Sequence, residues 1–117
     1  MQVKDETPLP LYGVFRKVDH DETTDNLILS ASTPYPATVI DDLHCYPLFT
    51  SRERATALMQ NCGVAGAVVE CDVLRLLKII TTLLPPGVTF DPGAIGEVSP
   101  TYETNSFVKW LLDKAEA

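Results

Sequence analysis

The chain has 117 residues, 45% apolar and 21% charged, with a formal charge of −7, which is the composition of a single globular domain rather than a disordered or membrane-embedded chain. At this length folding removes roughly two-thirds of the unfolded surface from water, so neither a disulfide nor a metal is needed to hold the domain together. Nine Lys and Arg against sixteen Asp and Glu leave no basic stripe for phosphates or an anionic membrane surface; nucleic acid and membrane are excluded as expected partners, and a basic protein is electrostatically favoured.

In chain order, residues 1–9 read as a flexible lead-in, polar and without the apolar core of a secretory signal. The longest apolar-rich stretch, residues 73–86, is interrupted by Arg75 and Lys78 and falls short of the roughly 20 apolar residues that span a bilayer. These features predict a cytoplasmic protein. Residues 11–18 hold the strand formers Leu11, Tyr12, Val14, Phe15 and Val18, and predict a strand. Residues 19–25 are an acidic loop, and residues 26–32 predict a second strand, giving an antiparallel hairpin with a long acidic tip. Pro34 and Pro36 break the pattern around Tyr35. Residues 37–40 predict a short edge strand and Asp41 and Asp42 a turn. Residues 44–49 predict a strand that Pro47 restricts to an edge or to its own beginning.

The first helix is predicted from a Thr50 cap with Glu53 three residues on, the capping-box spacing. Ala55, Leu58, Met59 and Cys62 form its apolar stripe, and Gly63 stands where a left-handed stop is needed. Residues 64–70 are continuously small or β-branched up to Glu70 and predict a central strand buried on both faces. Asp72 caps a second helix over residues 73–84, apolar around most of its circumference and stopped by Pro85 and Pro86. Residues 88–90 predict a short strand, Asp91-Pro92-Gly93 a turn, residues 94–100 an irregular stretch, and residues 104–117 a C-terminal helix with Phe107, Val108, Trp110, Leu111 and Leu112 on its apolar face. The order predicts an α/β (α+β) domain: a mixed sheet of about five strands with three helices, in a single domain over residues 1–117.

The run Tyr46-Pro47-Leu48-Phe49-Thr50-Ser51-Arg52-Glu53-Arg54-Ala55 resembles a segment of SseB-like proteins, the enhanced-serine-sensitivity family of bacteria. The leucine-rich residues 73–84 and the turn Phe90-Asp91-Pro92-Gly93 resemble the family's next helix, strand and turn, with Asp91 in place of the more usual Asn. The resemblance covers most of residues 10–95. It departs from the family in the charged 19–25 loop and in lacking a second, C-terminal domain. It implies a mixed α/β fold of the N-terminal-domain kind, no established catalytic residues, and a loose association with regulation or protein–protein contacts.

No chemical motif dominates. Asp19, His20, Asp21, Glu22 and Asp25 are dense in carboxylates, but the loop has no glycine at a bend as a calcium loop requires. It reads as a solvated tip or an acidic contact. In the cluster Asp41, Asp42, His44 and Cys45, neighbouring strand residues point to opposite faces, so His44 and Cys45 should diverge rather than pair as base and nucleophile. Cys45, Cys62 and Cys71 are odd in number and irregularly spaced and include no CxxC, which predicts reduced, mostly buried thiols and no zinc site. GxGxxG, P-loop and GxSxG patterns are absent from the sequence. No catalytic, cofactor-binding or metal-ligating residue is therefore assigned.

Arg52 and Arg54 oppose the dipole at a helix start, and with Asp19, Asp21, Glu22 and Tyr35 they form the candidate partner-contact residues. The expected function is a non-catalytic protein–protein interaction or adaptor module, regulatory or tied to toxin neutralisation or secretion. Its partner is a basic protein or a second copy of the chain. The alternative is a small ligand-binding or enzymatic domain with its site at the ends of strands 64–70 and 88–90, near Asp72 and Asp91. A purely structural subunit of a larger complex is the third reading.

Overall fold

The computed structural model describes residues 9–35, 37–40, 42–63, 66–92 and 100–116. The predicted lead-in over residues 1–8, Pro36, Asp41, residues 64 and 65, and residues 93–99 of the predicted turn and irregular stretch lie outside the described set. The fold is a mixed α/β globule, with three α-helices among the described residues. Its strands are β1 (Leu11–Phe15), β2 (His20–Asp21), β3 (Asn26–Leu27), β4 (Thr38–Ile40), β5 (Leu43–Leu48), β6 (Ala67–Cys71), β7 (Gly87–Phe90) and β8 (Thr101–Glu103). The helices are α1 (Arg52–Cys62), α2 (Val73–Leu83) and α3 (Thr104–Glu116). None of the described helices is long and apolar enough to cross a membrane.

The main sheet runs β4-β5-β7-β8, with β5 and β7 parallel and the outer pairs antiparallel. Strands β1 and β6 pair antiparallel, and one bridge joins them to the main sheet: Tyr12 and Phe49 exchange backbone hydrogen bonds of 2.8 and 2.9 Å. Across that join the spatial order is β6-β1-β5-β7-β8, with β4 beside the first half of β5. Helix α1 carries the chain from β5 to β6 and α2 carries it back from β6 to β7, so the two crossovers run in opposite directions. Right-handed crossovers of opposite direction place their helices on opposite faces. The side chains show this. Leu11, Phe15, Tyr46, Leu48, Val69 and Val88 pack with α2 and α3 in the large core, whereas Val14, Phe49 and Val68 pack with Ala55, Leu58 and Met59 of α1.

Several local expectations are corrected. The chain leaves β1 at Phe15 through a 3-10 turn, Lys17–Asp19, and the small β2–β3 pair replaces the long hairpin expected over residues 11–32. The first strand pairs with β6 instead. Strand β6 is outermost, with β1 as its only strand neighbour among the described residues. Its apolar run reflects helices on both faces, which a sequence pattern does not distinguish from centrality in a sheet. Helix α1 is capped by Ser51, whose Oγ accepts from Arg54 N at 3.2 Å, because Thr50 is engaged elsewhere. Gly63 ends it with φ 64°, as expected. Strand β8 was not anticipated; only three residues long, it docks Tyr102 against Phe90, ring centroids 5.3 Å apart.

Pro47 sits inside β5 rather than at its start. Alternation along the strand sends the backbone groups of residues 43, 45, 47 and 49 toward the β4 and β1 side. Strand β4 bonds only as far as Cys45, and β1 bonds at Phe49, just past the end of β5. The Tyr12–Phe49 register sets Val14 opposite Pro47, so the missing N–H of Pro47 ends the β1–β5 ladder after one bonded pair, beyond the reach of the β4 bonds.

Candidate functional site

The densest polar arrangement is built by the β2–β3 excursion leaning on the start of α2. The tip turns through Asp25 at φ 55°, and Asp21 Oδ1 accepts from Thr23 N at 3.0 Å. His20 Nε2 lies 2.8 Å from Asp25 Oδ1 while its buried Nδ1 has no partner among the described residues. A proton on Nδ1 would find no acceptor, so the ring N–H belongs on Nε2 and donates to Asp25. Arg75 donates through Nη2 to the Asp25 carbonyl and, at 3.3 Å, to its Oδ2. Hydrogen bonds from His20 and then Arg75 hold the Asp25 carboxyl below its ordinary range. One turn along α2, Lys78 Nζ donates to the Leu27 carbonyl at 3.4 Å.

Two grooves adjoin at Arg75. The larger, about 440 Å³, is bounded by Leu9 and Pro10 before β1, Glu70 of β6, Asp72, Val73 and Arg75 at the start of α2, and Asp25 of the tip. Asp72 Oδ1 caps α2 by accepting from Arg75 N at 2.9 Å. The smaller groove, about 200 Å³, lies between Asn26 and Leu27 on one side and Leu74, Arg75 and Lys78 on the other. Leu74 is 72% exposed there, and Ile28, next along from Leu27, is 61% exposed.

The six predicted contact residues are dispersed. Asp19 is buried and accepts from Arg16 Nε at 2.7 Å and Nη2 at 3.0 Å, so it braces the 3-10 turn and does not present a carboxylate outward. Asp21 is half-buried and Glu22 is exposed at the tip. Tyr35 is half-buried, with its ring 5.6 Å from that of Tyr46. Arg52 lies over the Tyr12 ring at 5.3 Å, and Arg54 Nη1 is 4.0 Å from Asp91 Oδ2.

Asp42 is exposed in a left-handed turn. His44 is exposed while Cys45 is fully buried, so the two diverge as expected. Burial raises the Cys45 thiol and pushes that of Cys71 up to about 12, which leaves both as neutral thiols at pH 7. Both are free; the side chain of Cys62 lies outside the described set. Among the described residues no three His, Cys, Asp or Glu stand close enough to share a metal ion. Asp91 is drawn into the fold: its Oδ1 accepts from Thr50 N at 2.9 Å and its Oδ2 from the Thr50 hydroxyl at 2.7 Å.

Of the two aspartates named for a strand-end site, Asp72 lines the larger groove and Asp91 fastens the start of α1. Sequence reasoning did not single out Arg75, Leu74 or Ile28. Arg75 joins a partner 50 residues away, and its only advance signal is that it interrupts an apolar helix. The chain matches no protein-family model, and no curated protein matches it.

Proposed function

We propose that the chain is a non-catalytic binding module that works through a protein–protein contact centred on the β2–β3 excursion and the first turns of α2. The observation that carries this reading is exposed Leu74 on the rim of the smaller groove, next to Arg75 and its partner Asp25 of the acidic tip, with Ile28, which follows Leu27 of the opposite wall, exposed as well. Large apolar side chains beside a charged rim are the usual composition of a recognition surface. The charge of −7 favours a basic partner by steering its approach. The resemblance to SseB-like proteins supports the same reading, with a regulatory or toxin-neutralising role in a bacterial cytoplasm as its particular form.

Solution mass by light scattering over a dilution series comes first, to separate a second copy from a foreign partner. Capture from host extract then compares the wild type with Leu74→Ser/Ile28→Ser. A species retained by the wild type and lost with the variant supports the proposal. Equal retention by both, or retention by neither together with a monomeric mass, overturns it.

A second reading, a small-ligand site, is favoured by the larger groove, which lies where the chain leaves β6 for α2, the predicted kind of location. A thermal-shift screen with small amines and amino acids tests it. A rise in melting temperature that Glu70→Gln removes is the expected result for this reading, and a flat screen rejects it.

A further inference from the structure

The outer edge of β6 is closed by two arginines from different helices. Tyr12 turns both of its backbone groups toward Phe49. Alternation in an antiparallel ladder then makes Tyr12–Glu70 and Val14–Val68 the pairs without mutual hydrogen bonds. Val68 and Glu70 therefore direct their N–H and C=O groups away from β1, toward the open edge. Both outward carbonyls are taken: Arg52 Nη1 donates to Val68 O at 3.3 Å, and Arg75 Nη1 donates to Glu70 O at 3.0 Å. The two N–H groups have no backbone partner among the described residues.

Each arginine stands in the first turn of its helix, Arg52 at the start of α1 and Arg75 near the start of α2. Positive charge there opposes the helix dipole, so helix stability does not account for the pair. Edge protection does. A strand adding to β6 needs the same two carbonyls as acceptors, and charged side chains at an edge are a recurrent means of refusing one.

We infer that Arg52 and Arg75 guard the outer edge of β6 against strand addition, and that without them a second copy of this chain pairs there, β6 to β6 and antiparallel. The edge is self-complementary. Under a two-fold axis, the outward groups of Val68 meet those of Glu70 in the other copy, and the reverse. The facing side chains are then Val68 and Glu70, with no like charges directly opposed.

The test is the mass of Arg52→Ala/Arg75→Ala by light scattering over a dilution series, with circular dichroism to verify folding. The expected result is a twofold greater mass than the wild type at the same concentrations. Adding Glu70→Pro, which removes an outward N–H and no backbone ladder bond, at the cost of the exposed 3.4 Å bond that the Tyr12 hydroxyl donates to Glu70 Oε1, should return the mass to the wild-type value. Because Arg75 also holds the tip, Asp25→Ala serves as the control for a loosened excursion and should leave the mass unchanged. If the double variant does not fold, Arg52→Ala alone keeps the Arg75 contacts and should raise the mass at the top of the series. A folded variant with wild-type mass, association that Glu70→Pro does not reverse, or association reproduced by Asp25→Ala would each overturn the inference.

Discussion

Asp91 holds Thr50 by two hydrogen bonds, to its backbone N at 2.9 Å and its hydroxyl at 2.7 Å, across 41 residues of sequence. Asp91 follows β7 and Thr50 precedes α1, so the carboxylate ties the ends of two adjacent parallel strands together. Asp91→Ala leaves two part-buried donors without an acceptor and should reduce stability by about 1–3 kcal/mol. Thr50→Val should lower it by less, and the two effects should be non-additive in a double-mutant cycle measured by urea denaturation.

The tip of the excursion makes a prediction about pH. The Asp25 carboxyl is held low by His20 and Arg75. A carboxylate depressed in the folded state contributes stability above its unfolded pKa of about 3.9 and loses it as pH falls through the lower folded value. Asp25→Asn should therefore melt below the wild type at neutral pH. The gap between the two should close in the acid range, beginning below about pH 4. Thermal melts of both proteins from neutral pH to strong acid check this.

Tyr46 carries a fully buried hydroxyl with no partner among the described residues, and burial raises its pKa well above the ordinary value. Tyr46→Phe removes the unsatisfied group and keeps the ring that packs on Phe15 and Tyr35. The variant should be more stable by about 1 kcal/mol, seen as a higher urea midpoint at unchanged slope.

The thiols of Cys45 and Cys71 are both buried and raised. In a Cys62→Ser background, a thiol reagent at pH 8 should label neither in the native protein and both in urea. Rapid labelling under native conditions would refute the packing of β5 and β6 against the helices.

Gly66 gives a steric prediction. A Cβ there would lie 2.6 Å from the carbonyl oxygen of Phe15, which is backbone and has little room to yield. Gly66→Ala should destabilise by about 1–3 kcal/mol in chemical denaturation, the usual range for overpacking a filled space.

The elements whose signals are local were legible in the sequence. Asp72 and Gly63 act as the cap and stop that their residue types announce, and α2 and α3 follow their apolar spacing closely. Pairing was not legible. Residues 11–15 look the same whether their partner is residue 26 or residue 71, because strand propensity carries no address. The run at 64–70 showed apolar cover on two faces, and only the crossovers reveal that this cover is helical. The site depends on Arg75 meeting Asp25 and on Leu74 facing Leu27 across the smaller groove. Those contacts follow from where α2 lands, so no spacing rule within either segment contains them.

Pro47 has a consequence beyond the ladder bond it does without. If β1 slid two residues along β5, Tyr12 in place of Val14 would stand opposite Pro47, and its two bonds with Phe49 would be lost with no Pro47 N–H to replace one of them. A slide of one residue would turn Tyr12 and Val14 away from α1 and toward α2. The first misalignment is disfavoured at the imide ring, the second by the alternation of side chains between the two helix-covered faces. Among the described residues the join between the two parts of the sheet rests on a single bridged pair, and Pro47 sets where that narrow seam ends.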